Sequence, residues 1–141
     1  MICNDDADIQ DSLANYSNVY KGLFAGQPVV NVSSGFLHNI ILSTGCYEAM
    51  FKNCTDMETS PDLPATTLVE DCYKEMFQGC AKLNSIKALF ETPPGDSYTY
   101  QWVEGVAEQG IFIKADDTAW DPESHRGVSG IPNDWYVTIV Q

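Results

Sequence analysis

Three stretches of the chain repeat one pattern. Val19-Tyr20-Lys21-Gly22-Leu23-Phe24 is echoed by Cys46-Tyr47-Glu48-Ala49-Met50-Phe51 and again by Cys72-Tyr73-Lys74-Glu75-Met76-Phe77. The tyrosines stand 47 − 20 = 27 and 73 − 47 = 26 residues apart. A repeat of about 20–50 residues constrains a fold more tightly than composition does. Each unit is too small to bury its own apolar face and must bury it against its neighbours. The expected fold class is therefore an α/β solenoid, a short array of about three rungs with parallel short strands. Such an array offers a surface for holding a partner rather than a catalytic pocket.

Within a unit, Tyr47, Met50 and Phe51 lie at i, i+3 and i+4, as do Tyr73, Met76 and Phe77. That spacing predicts one face of a short helix in each rung. Gly26, Asn53 and Gly79 follow at the matching place, and these residue types tolerate the left-handed conformation that ends a helix. Val30, Met57 and Leu83 then fall in segments suited to brief strands, with Phe36, Leu63 and Leu89 next in register. Pro61 and Pro64 exclude regular helix from the return path. Counting back 27 residues from Val30, Phe36 and Ile40 gives Cys3, Ile9 and Leu13, all apolar. The chain is thus expected to open in mid-rung, with an open N-terminal end through which copies or a larger assembly could dock. The division is residues 1–18 as a partial rung or cap, 19–92 as repeats, and 93–141 as a C-terminal α/β capping segment. The register is expected to end after Leu89, at Pro93-Pro94-Gly95. In the cap, Tyr98 to Glu108 reads as a helix, while Ile111-Phe112-Ile113 and Tyr136 to Val140 read as strands.

With 141 residues the chain is one domain long, and its net charge is −13 from 20 acidic and 7 basic residues. Nucleic acid is an unsuitable partner, because phosphate binding needs clustered Lys and Arg. Insertion into a membrane is not expected either, since no apolar run approaches the roughly 20 residues a span requires. The first residues do not form a secretory signal, having neither a basic start nor an apolar middle. Five cysteines are present, and two pairs share one spacing, 54 − 46 = 8 and 80 − 72 = 8. Stacked rungs place Cys46 over Cys72 and Cys54 over Cys80, either as buried free thiols or as disulfides between rungs.

No cofactor or metal is expected. Asp6-Ala7-Asp8-Ile9-Gln10-Asp11 begins like a calcium loop but has Asp11 where the sixth-place glycine belongs and Ser17 in place of the final glutamate. His38 and His125 are the only histidines, and cysteines at buried repeat positions make poor nucleophiles. No phosphate-binding glycine loop is present. Tyr20, Tyr47 and Tyr73 are expected in the core with hydroxyls reaching water. Trp102, Trp120 and Trp135 are expected in the core of the cap; one left exposed would be an anchor for a partner.

The unit Cys-Tyr-x-x-Met-Phe-x-x-Cys-x-x-Leu/Met, carried by Cys46 to Met57 and Cys72 to Leu83, resembles the BspA-like subclass of leucine-rich repeats. Leu63-Pro64-Ala65-Thr66-Thr67-Leu68 resembles the linking segment of those repeats. Gly110 to Lys114, Trp120 and Gly130 to Trp135 resemble the closing segment that follows them. The first copy departs from the pattern, with Val19 and Gln27 in place of the cysteines. The resemblance implies a non-catalytic, surface-exposed module for adhesion or recognition of a protein or glycan, extracellular or on a cell surface, as in adhesins of gut and oral bacteria. Similar repeats on phage particles imply the alternative, a virion component such as a decoration, fibre or tail protein. In either case the strands would present outward residues between their apolar positions, including Asn31, Glu58 and Asn84.

Overall fold

The computed structural model describes residues 17–30, 32–37, 40–115 and 120–140. Cys3, Ile9, Leu13, the acidic stretch of residues 6–11, His38 and Asn31 lie outside the described residues, and with them most of the expected partial rung.

On one side of the molecule runs a parallel sheet in the order β1, β2, β3, formed by Ser85–Ala88, Ile111–Lys114 and Tyr136–Ile139. Ser85 pairs with Ile111, and Ile111 with Tyr136. The spacings are 111 − 85 = 26 and 136 − 111 = 25 residues, so each strand is one pass of the chain beyond the last. Isolated parallel bridges Thr59–Ser85 and Leu63–Ala88 extend the pairing one pass earlier. The register therefore does not end after Leu89, as expected from the sequence. It continues through β2 and β3 with nearly the same period.

The opposite side differs from expectation in kind. Segments 18–26, 45–53, 71–79 and 97–105 lie over one another, but none is a helix. Among the described residues the only helical element is a single 3-10 turn, Pro122–His125. Alternate N–H groups bond within a segment to the carbonyl three residues back: Glu48 to Gly45 at 3.1 Å, Met50 to Tyr47 at 3.1 Å, Lys52 to Ala49 at 3.2 Å. The others donate to the next segment: Tyr47 to Cys72 at 3.0 Å, Ala49 to Lys74 at 2.8 Å, Phe51 to Met76 at 3.0 Å, Asn53 to Gln78 at 2.7 Å. Each segment is a run of overlapping turns, hydrogen-bonded in register to its neighbours. The expected helix at Tyr98 to Glu108 is corrected in the same way, since Glu75 N donates to Tyr100 O at 2.8 Å and Phe77 N to Trp102 O at 3.0 Å.

The physical reason is hydrogen-bond accounting. A helix uses its own N–H groups internally, and one this short is marginal by itself. The turn run shares half of its donors with the next level, so stacking replaces what a short helix would lack. The conformation requires a left-handed residue about every fourth position: Gly45, Ala49 and Asn53 in one level, Asp71, Glu75 and Gly79 in the next, with φ between 53° and 81°. Gly79 is required twice over. Its φ is +81°, and a Cβ there would collide with Oδ1 of Asn53 from the level before.

Between the two sides lies the core. The tyrosine rings stack in a column, Tyr20 on Tyr47 at 5.7 Å and Tyr47 on Tyr73 at 6.1 Å between centroids. Phe24, Phe51 and Phe77 form a second column at 5.6 and 6.0 Å. Trp102 meets both columns, stacked 6.0 Å from Tyr73 and tilted 5.9 Å from Phe77. All three tryptophans are buried, and each indole N–H donates to a carbonyl: Trp102 to Gly130, Trp120 to Phe90, Trp135 to Ala107. Tyr73 is buried, and that burial holds its phenol well above its ordinary pKa. No described helix is long and apolar enough to cross a membrane.

Candidate binding face

Alternation along a strand sends successive side chains to opposite faces. In β1, Ile86 and Ala88 point into the core, leaving Ser85 and Lys87 outside. In β2, Phe112 and Lys114 are inside, while Ile111 and Ile113 lie on the outer face. In β3, Tyr136 and Thr138 occupy the same outer face by register. One row therefore runs Thr59, Ser85, Ile111, Tyr136 across the strands. Three strand spacings of about 4.8 Å make this row about 14 Å long. The residues at its far end are conspicuously open, Ile111 at 45% and Tyr136 at 71% exposure.

Glu58 and Asn84 lie one residue before this row and are brought together. Asn84 N donates to Glu58 O at 2.9 Å, Ile111 N donates to Asn84 O at 2.9 Å, and both side chains are exposed. Glu58 N donates to Val30 O at 3.3 Å. The next position along this line is Gly110, where a Cβ would sit 2.5 Å from Asn84 O and 2.6 Å from Trp135 Cε2. The line of Glu58 and Asn84 thus has no side chain at its third place, while the adjacent row of Thr59 and Ser85 continues through Ile111 and Tyr136. Sequence reasoning missed those two because it treated residues 93–141 as outside the register. The spacings of 26 from Ser85 to Ile111 and 25 from Ile111 to Tyr136 were the available signal.

The electrostatics of the surface are one-sided. All seven basic side chains of the chain are engaged. Lys21 pairs with Glu48 at 3.3 Å, Lys52 with Glu75 at 2.8 Å, Lys82 with Asp56 at 3.6 Å, and Lys87 with Asp62 at 3.7 Å, each across neighbouring levels. Arg126 pairs with Glu123 at 2.7 Å. Lys74 stands over the Tyr100 ring at 6.0 Å, and Lys114 points inward over Trp120 at 4.9 Å. Five of the 20 carboxylates are used in those ion pairs, and Glu58 on the strand face is not one of them.

The remaining chemistry is inward. Cys46, Cys54, Cys72 and Cys80 are free and buried. The thiol of Cys54 donates to Phe24 O at 3.1 Å and that of Cys80 to Phe51 O at 3.0 Å, each tying a level to the one before. Burial pushes the Cys46 thiol up to about 11 and those of Cys72 and Cys80 to about 12, and it raises Cys54 as well. Such thiols are protonated at neutral pH and poorly suited to nucleophilic attack. His125 packs edge-on against Trp120 at 5.5 Å, with Nδ1 2.9 Å from Asp121 O. No group of three or more His, Cys, Asp or Glu is placed to hold a metal among the described residues. Concavities among the described residues include one of about 420 Å³ beside Ile40, Ile41 and Val69 and one of about 340 Å³ beside Pro94, His125 and Gly127.

Compared with models of protein families, with curated proteins and with solved structures, the chain matches none significantly.

Proposed function

We propose that this chain is a non-catalytic recognition module of leucine-rich-repeat type, displayed outside a cell, which holds a protein or glycan on the outer face of its parallel strands. The observation that carries this reading is the in-register outer row ending in Ile111 and Tyr136, two large side chains left open beside polar neighbours. Exposed aromatic and aliphatic groups on an otherwise charged surface mark contact sites. The protonated, buried thiols favour binding over thiol catalysis.

The test is a screen of the purified chain on glycan and peptide arrays. The same screen uses Tyr136→Ser and, on the turn side, Gln78→Ala. The reading expects ligands that Tyr136→Ser loses and Gln78→Ala keeps. Ligands indifferent to Tyr136, or turnover of an arrayed compound, would contradict it.

A further inference from the structure

The face has two unlike ends. Beside one, Glu58 is exposed one residue before the outer row and forms no ion pair among the described residues, next to the exposed Asn84. At the other, Ile111 and Tyr136 are open and apolar. In the adjoining outer row, with Ile113 and Thr138, Lys87 is ion-paired with Asp62 at 3.7 Å. Over the whole chain 20 acidic residues stand against 7 basic ones, so carboxylates outnumber cations. The net charge of −13 disfavours an anionic partner and steers a cationic one toward the face.

The apolar end further separates polypeptide from glycan. Sugar rings are held best by broad aromatic faces, yet all three tryptophans are buried and the open side chains next to Tyr136 are isoleucine. Aliphatic contacts suit Leu, Ile or Phe of a protein. We propose that the partner of this face is a polypeptide segment carrying Lys or Arg at one end and an aliphatic or aromatic side chain at the other, laid across the strands from Glu58 to Tyr136. The outer row beside them, about 14 Å from Thr59 to Tyr136, matches about four residues of extended chain. This proposal rests on the strand face being the binding surface.

Four labelled synthetic peptides of equal length test it by fluorescence anisotropy. The first joins a lysine block to a leucine block. The others replace lysine by serine, lysine by glutamate, or leucine by serine. The lysine–leucine peptide is expected to bind about tenfold more tightly than each of the other three. Tyr136→Ser should lower its affinity to that of the lysine–serine peptide, and Glu58→Gln to that of the serine–leucine peptide. Glu70→Gln, at the entry to a turn segment, should change nothing. All three sites are exposed, and circular dichroism checks that each variant is folded.

If the serine–leucine or glutamate–leucine peptide binds as tightly and still depends on Tyr136, the cationic partner is wrong while the face stands. If the lysine–leucine peptide binds regardless of Tyr136 and Glu58, the face itself is wrong and the proposal falls with it. Absence of binding by all four peptides overturns the proposal.

Discussion

Replacing Ala49 by glycine gives opposite answers for a helix and for a run of stacked turns. Ala49 has φ +54°, its N–H donates to Lys74 of the next level at 2.8 Å, and its carbonyl accepts from Lys52 at 3.2 Å. A left-handed conformation costs an L residue about 1–2 kcal/mol. Glycine removes that strain but has about 0.4–1 kcal/mol more unfolded-state freedom to lose. The net expectation for Ala49→Gly is stabilisation by about 0.5 kcal/mol. In a helix the same change would destabilise by about 1 kcal/mol. The two outcomes differ in sign and are separated by about 1.5 kcal/mol, well within reach of urea unfolding followed by circular dichroism. A shift of the midpoint to lower urea by the helical amount, with an unchanged slope, would refute the turn description. Glu75 and Gln101 share the left-handed conformation at φ 53° and 49° but are less clean probes. Glu75 holds Lys52, and Gln101 Oε1 accepts from Gln78 Nε2 at 3.2 Å, so glycine there removes a bond as well.

Gly110→Ala should destabilise by about 1–3 kcal/mol, because the new methyl overlaps backbone at Asn84 O and cannot be turned aside; thermal unfolding checks this, and a neutral result would mean that β1 and the start of β2 are not so close. The buried thiols predict loss of stability at alkaline pH. Their neutral form is favoured in the folded state, so their stabilisation is full below the ordinary value of 9.0 and is lost as the pH rises toward about 11 or 12. Each such thiol adds about 1.4 kcal/mol per pH unit of decline across that window. Cys72→Ala should flatten the high-pH limb in urea titrations by about that slope.

Much of the stacking could be read from letters, and the reasons it could not be read further are specific. Tyr20, Tyr47 and Tyr73 repeat because one ring must lie on the next, so spacing in sequence becomes neighbourhood in space. The helix expectation failed because Tyr47, Met50 and Phe51 face one way in a helix and also in a turn run, and residue type does not announce positive φ at alanine or glutamate. The fourth level was invisible for another reason. Tyr98-Thr99-Tyr100-Gln101-Trp102-Val103 occupies the place of Cys72-Tyr73-Lys74-Glu75-Met76-Phe77 by hydrogen bonding, yet shares no residue with it. Trp102, in the methionine position, fills space beneath Tyr73 and Phe77 together, so the pattern changes where the two columns merge. Glu58 and Asn84 were placed by their spacing alone. Ile111 and Tyr136 were not, because the same count lands on Gly110, one residue short of the row they occupy.

The most direct test of the central claim is a nuclear Overhauser measurement between aromatic rings, with tyrosines selectively labelled and assigned by single Tyr→Phe changes. Tyr47 should show ring cross-peaks to both Tyr20 and Tyr73, whose centroids lie 5.7 and 6.1 Å away in near-parallel planes. A Tyr47 ring in contact with neither would mean that successive passes of the chain do not lie on one another, and the account would not survive it.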